Sequence, residues 1–271
     1  MYFKENIFEF GKPKNRFLST FVDTFFYVGC LVADLDFKQE TIVPFPRASF
    51  GYFFDNPFKV TNHTKNETFE TQMIFSKASI DNISVEPLTD QVRIIGAHVK
   101  SYALSYFTRQ KIGNLSWYIK VNEIFKKSDL IESQLNNCQN PKQMFDIIES
   151  YFLDNILIRD LSKTQKAIEI IEQFKGDIEI KEVASILQFT ERTLRNIFFS
   201  NVGCSPKEYI ALVKMKMIAF DLVNSQKSMT DIALDNNFYD QAHFNNSIKK
   251  TTGTSPKKLK NDIPDFRFFQ F

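Results

Sequence analysis

Around residues 192–199 the chain alternates two kinds of chemistry at helical spacing. Leu194, Ile197 and Phe198 recur at i, i+3 and i+4 and make an apolar face, while Arg192, Arg195, Asn196 and Phe199 fall on the other side. Further on, Phe244 and Ile248 point inward, with Gln241, Asn245, Asn246 and Lys249 outward and His243 near the edge. A planar guanidinium can donate two parallel hydrogen bonds to O6 and N7 of guanine, and a carboxamide can pair with N6 and N7 of adenine. Two short helices with such faces could read base edges in a DNA groove. The candidate DNA-binding residues are therefore Arg192, Thr193, Arg195, Asn196, Gln241, His243, Asn245, Asn246 and Lys249, the last also placed to hold a phosphate. Lys207, Lys250, Lys257 and Lys258 stand near the expected helix ends, where they could hold phosphates. Lysines there also complement helix dipoles or simply solubilise.

The elements that must position these residues are written in the sequence twice. Val183-Ala184 matches Ile232-Ala233, and Phe189 matches Phe238, both 49 residues apart (232 − 183 and 238 − 189). Phe198 matches Ile248, and Gly203-x-Ser205-Pro206-Lys207 matches Gly253-x-Ser255-Pro256-Lys257, 50 residues apart (253 − 203). One residue has thus been inserted in the second copy's turn. Each copy reads as a short helix, a tight turn and a helix with a polar outer face, the helix-turn-helix plan. A single helix over about 206–223 joins the copies, and its Tyr209, Val213, Met217 and Phe220 form a stripe expected to be core. Ser205-Pro206 and Ser255-Pro256 place a capping serine before a proline at the first helical position. Ser228-x-x-Asp231 has the form of a capping box, and a further amphipathic helix over 165–174 ends at Gly176.

These motifs resemble the DNA-binding domain of the AraC/XylS family. The first half is carried by Ala184, Phe189-Thr190, Leu194-Arg195-Asn196-Ile197-Phe198 and Gly203-Cys204-Ser205-Pro206-Lys207-Glu208-Tyr209-Ile210. The second is carried by Asp231-Ile232-Ala233, by Asn237-Phe238-Tyr239-Asp240-Gln241-Ala242-His243-Phe244, and by Thr252-Gly253-Thr254-Ser255-Pro256. The resemblance covers about residues 168–260 and implies two recognition helices in successive major grooves on one side of the duplex. Asn237 stands where the family usually has glycine, a place asparagine tolerates because it enters the left-handed region more readily than most residues. Asn196 and Asn246 stand where arginine is common, and Ile248 where phenylalanine is usual.

The N-terminal half is less explicit. From about residue 17 to 107, short apolar stretches at 41–46, 49–54, 72–75 and 92–99 alternate with turn-forming clusters such as Asp55-Asn56-Pro57 and Asp81-Asn82. Such spacing predicts a small barrel or sandwich. Helical spacing follows, in Met144, Ile147, Ile148, Tyr151 and Phe152, with Asn140-Pro141 as a helix entry. Ile95-Gly96-Ala97-His98-Val99-Lys100, with Tyr102-Ala103-Leu104, resembles a poorly characterised β-rich domain that precedes the paired motif in some family members. The expected fold is therefore α+β: residues 1–163 a β-rich barrel- or sandwich-like regulatory, effector or oligomerisation domain with trailing helices, and residues 164–271 an all-α domain of two helix-turn-helix subdomains joined by a linker helix.

Composition narrows the classes. The chain has 271 residues with a formal net charge of only +2, so bulk charge does not argue for nucleic acid. Its 30 phenylalanines against one tryptophan reflect codon bias more simply than function. Three scattered cysteines, Cys30, Cys138 and Cys204, form no disulfide framework or zinc spacing, and no run nears the ~18 apolar residues of a membrane span. A cytoplasmic protein is expected, with no membrane partner. No nucleophile elbow, Walker loop, GxGxxG or CxxC occurs, and the histidines His63, His98 and His243 are too dispersed for a cupin-type metal enzyme. We therefore expect no catalytic residue, metal or cofactor. The expected partners are double-stranded DNA, RNA polymerase, a small-molecule effector at the N-terminal domain and a second copy in a homodimer. A sensor module whose helices contact protein instead of DNA uses the same outward residues and remains the alternative. The aromatic tail at 266–271 is expected to pack on its own chain or on a partner.

Overall fold

The computed structural model describes residues 7–34, 39–125, 128–138 and 140–262; the aromatic tail lies outside them. Ten strands come first: β1 (Ile7–Gly11), β2 (Val22–Leu31), β3 (Glu40–Ile42), β4 (Arg47–Tyr52), β5 (Phe58–Asn62), β6 (Glu67–Thr71), β7 (Met73–Ser76), β8 (Ile83–Pro87), β9 (Gln91–Lys100) and β10 (Tyr118–Lys120). They form two antiparallel sheets, ordered β1-β2-β9-β4-β7-β10 and β3-β8-β5-β6. Neither sheet closes on itself among the described residues, so the sandwich half of the expectation describes it and the barrel half does not.

Alternation along the long strands builds two cores at once. In β2, Phe26, Val28 and Cys30 face the four-stranded sheet, where Phe53, Val60 and Trp117 meet them. Phe25 and Tyr27 face the other way, onto the cluster that includes Phe145 and Phe152 of α2 (Pro141–Asn155), behind α1 (Ser128–Asn136). Gly96 of β9 lies opposite Phe26, and a Cβ there would collide with that ring and with the carbonyl of Phe50. Asn140 caps α2, its side chain accepting from the Lys142 N–H at 2.9 Å, and Pro141 follows it as expected. The stretch 41–46 is strand only as far as Ile42: Pro44 and Pro46 lack the N–H a ladder needs.

Seven helices follow: α3 (Ser162–Gln173), α4 (Ile180–Ile186), α5 (Glu191–Asn201), α6 (Pro206–Asn224), α7 (Met229–Asp235), α8 (Gln241–Thr252) and α9 (Pro256–Asp262). Helix α3 ends as read from the sequence: Gly176, at φ +75°, donates its N–H to the Ile171 carbonyl at 2.9 Å. The box of Ser228 with Asp231 forms, and Ser205 with Glu208 and Glu179 with Glu182 make two more. The buried stripe of α6 runs through Tyr209, Leu212, Val213, Met215, Ile218, Ala219 and Leu222. Phe220, expected in that stripe, is instead 56% exposed, because the helix turns its Ile218/Ala219/Leu222 side to α7 and α8.

The apolar clusters do not stop where the strands end. The cluster under the six-stranded sheet continues through Leu161, Ala167, Ile171 and Val183 to Leu194, Phe198 and Tyr209. The cluster of the second helical unit contains Val43, from the loop between β3 and β4, beside Ile218, Ile232, Phe244 and Ile248.

Candidate nucleic-acid interface

Helices α4 and α5 form one helix-turn-helix unit, α7 and α8 the other. Each turn passes through one residue with positive φ, Gln188 at +56° and Asn237 at +59°, which stand at equivalent places in the repeat. That conformation lets the chain leave the first helix sharply, and the N–H of the next residue returns to the helix: Phe189 to the Ala184 carbonyl, Phe238 to that of Ala233. The second helix of each unit starts on a capped amide. The Thr190 hydroxyl accepts from the Thr193 N–H at 3.1 Å, and the Asp240 carboxylate accepts from the His243 N–H at 2.7 Å.

With Leu194 and Phe198 buried and Ile197 half-buried, α5 presents Arg192, Thr193, Arg195 and Asn196 to solvent. With Phe244 and Ile248 buried, α8 presents Gln241, His243, Asn245, Asn246 and Lys249. Lys207, Lys250, Lys257 and Lys258 are all exposed. Thr193 also shares a hydroxyl contact of 2.9 Å with Thr190, so it is tied to the cap. The His243 ring leans edge-on to Phe238, 5.3 Å between centroids. Arg195 Nη2 meets Oε2 of Glu191 one turn earlier at 2.6 Å.

Phe199 departs from the outward set. Its ring packs against Gly113, so this position serves the N-terminal domain and does not belong to the face of Arg192 and Arg195. Neighbouring contacts reinforce the attachment. Ser105 Oγ donates to the Asn201 carbonyl at 3.1 Å, and Gly203 lies against Ile112. In the second unit the equivalent Gly253 lies against Asn82. Each αL glycine of the repeat thus abuts the β-rich part, and each needs its positive φ, +90° and +73°. Sequence reasoning passed over Glu191, although a glutamate four residues before an arginine on a helix is a readable pairing signal. It also missed Asn201 and Gly113, whose roles depend on contacts that no local pattern announces.

The N-terminal part holds two spaces. A cavity of about 130 Å³ lies between the sheets, walled by Phe26, Val43, Phe53, Val60 and Trp117, with Arg47 and Lys77 at its border. A cleft of about 330 Å³ runs between the six-stranded sheet and the helices, lined by Lys12, Arg47, His98, Lys100, Glu172 and Lys216 among others. Burial, with Arg47 adding repulsion, holds His98 well below the usual histidine range, so its ring is neutral there. It stacks on Phe26 and shares a 3.0 Å contact with Ser49 Oγ. Burial pushes the thiol of Cys204 up to about 12, which fits a packing role better than a reactive one. Among the described residues no cluster of three or more His, Cys, Asp or Glu could hold a metal, and no helix is long and apolar enough to cross a membrane.

Residues 183–262 match the family described as a helix-turn-helix domain. This part of the chain is a helix-turn-helix domain. An uncharacterized HTH-type transcriptional regulator of Staphylococcus aureus is 26% identical over 151 residues, covering 55% of this chain and 20% of the relative. A second, from Haemophilus influenzae, is 26% identical over 106 residues, covering 39% of this chain and 36% of the relative. The match therefore spans about a fifth of the length of the Staphylococcus relatives. Among solved structures, ToxT from Vibrio cholerae superposes with a TM-score of 0.52 at 14% identity, covering 88% of this chain and 97% of ToxT. The chain shares the ToxT fold.

Proposed function

We propose that this chain is a sequence-specific transcription regulator that seats α5 and α8 in adjacent major grooves of double-stranded DNA. The observation that carries the reading is the repeat of exposed hydrogen-bonding faces on buried apolar backs: Arg192, Arg195 and Asn196 in one unit, Gln241, Asn245 and Asn246 in the other. Thr193, His243 and Lys249 flank these faces, while Lys207, Lys250, Lys257 and Lys258 supply phosphate contacts. Regulation then consists of reversible promoter binding that alters recruitment of RNA polymerase, with no chemical step and no cofactor. Residues 164–271 act as the DNA-binding unit and residues 1–163 as the sensing or oligomerising one, in a cytoplasmic homodimer.

The N-terminal spaces support an effector of definite chemistry. ToxT has been solved bound to an unsaturated fatty acid and to a naphthalenyl butenoic acid. In this chain an apolar cavity lies beside a cleft where Lys12, Arg47, Lys100 and Lys216 outnumber Asp23 and Glu172, which suits a ligand with an apolar body and a carboxylate head.

The test is a gel shift of the full chain on genomic fragments across a salt series. Sequence-selective, salt-sensitive retention supports the regulator; binding to protein partners with no selective retention of DNA favours the sensor module instead.

A further inference from the structure

We propose that Glu191 and Arg195 act together as a reader of one G·C base pair, the carboxylate being a specificity determinant and not merely a helix-end charge. This inference rests on the reading of α5 as a base-reading helix. Arg195 Nη2 contacts Glu191 Oε2 at 2.6 Å, and both side chains are about half exposed, at 55% and 43%. The contact uses one oxygen of the carboxylate and one of the guanidinium's five N–H donors. The two heads therefore sit together on the outward face with an acceptor and several donors still available.

A G·C pair presents the complementary set. Its major-groove edge offers the O6 and N7 acceptors of guanine beside the N4 amino donor of cytosine. The guanidinium can take the first two while the carboxylate accepts from the third. The four-residue spacing along α5 corresponds to about 6 Å of rise, less than two base-pair steps, and the ion pair draws the heads closer still. One base pair can thus be held from both sides.

The bland alternative is that Glu191, in the first turn of α5, only complements the helix dipole and makes a stabilising i,i+4 pair. Two facts speak for more. An acidic group on the face that meets a polyanion raises the cost of every non-cognate encounter, unless a base donor meets it. The equivalent position of the second unit is Gln241, and that of Arg195 is Asn245, so the same two places carry neutral amides suited to adenine. The two units then differ in base preference at matched positions, G·C for the first and A·T for the second.

The experiment is selection from randomised duplex DNA by the full chain, followed by a base-by-base operator scan with wild type, Glu191→Ala, Glu191→Gln and Arg195→Ala. Helical circular dichroism confirms that each variant is folded, and the near-isosteric Glu191→Gln guards against a folding defect in the alanine variant. The expected result is that Glu191→Ala binds non-specific DNA more tightly yet loses roughly five- to hundredfold discrimination at one G·C pair. That pair should be the one relaxed by Arg195→Ala, and Glu191→Gln should shift its preference towards A·T. Uniformly tighter binding by Glu191→Ala with every base preference intact overturns the proposal while leaving the regulator reading standing. If wild type selects no sequence, both readings fall.

Discussion

The ring of Phe199, on the last full turn of α5, lies so close to Gly113 that no Cβ would fit between them. Helix α5 is thereby fastened to the N-terminal part near its C-terminal end. Gly113→Val should force the two apart and destabilise the full chain by about 1–3 kcal/mol, the usual cost of overpacking. Pairing it with Phe199→Ala should make the loss smaller than the sum of the two single losses, read from urea denaturation of all four proteins. Strict additivity would mean that the contact is not formed in solution.

The repeat position of Phe199 in the first unit is taken by Lys249 in the second. Lys249 is exposed at the end of α8 and is followed by Lys250. If Lys249 holds a phosphate, Lys249→Ala should weaken binding on all sequences alike and lower the slope of log K against log salt by about one. Phe199→Ala should leave that slope unchanged. A loss for Lys249→Ala confined to the selected operator would make this lysine a base reader instead.

The two recognition helices should contribute unequally. Two arginines face outward on α5, whereas α8 offers Gln241, Asn245 and Asn246, amides that bring no positive charge to the duplex. Arg195→Ala should relax base preference more than Asn246→Ala, by up to about 1–3 kcal/mol at the affected pair. A footprint should cover two grooves about 10 base pairs apart, with the sharper preferences in the half facing α5. Equal relaxation by both variants would remove the asymmetry.

His98 gives a pH dependence with a definite sign. Burial lowers its folded pKa, so below the ordinary histidine value of about 6.5 the unfolded chain takes up a proton that the folded chain does not. Its stabilising contribution is therefore complete above about pH 6.5 and is lost progressively as pH falls towards the folded value. Melting temperature should drop on acidification from pH 7 to about 5, and His98→Phe should drop less steeply over that range. Parallel curves would show that His98 titrates normally in the folded protein.

The helical half was legible because its signals are local. Capping serines, prolines at N1, and a turn position with Asn237 are decided by the backbone within a few residues, and all appear in the structure. The β-rich half was legible as to kind but not in its details. β1 lies outside the stretch read as β-rich, and the run at 41–46 looked apolar enough for a strand although its prolines end it at Ile42. The apolar pattern also records that a side chain wants company without naming the company. Phe220 has the spacing of a core residue and is exposed, while Phe199 has the spacing of an outward one and packs on Gly113. The Glu191–Arg195 pair stands in plain i,i+4 spacing, but spacing alone does not say that an acceptor belongs on a face of donors.

Val43 belongs to two places at once: it walls the cavity between the sheets, and it completes the apolar cluster of the second helix-turn-helix unit. Two rooms that share one wall cannot be furnished independently. A guest in the first would press on, or prop up, the packing of Ile218 and Phe244 in the second through Val43, with Phe45 beside it on the same shared wall. Close-packed interiors transmit such displacements and do not absorb them. Between a guest in the sandwich and the backing of α8 there would thus stand only two neighbouring side chains, Val43 and Phe45.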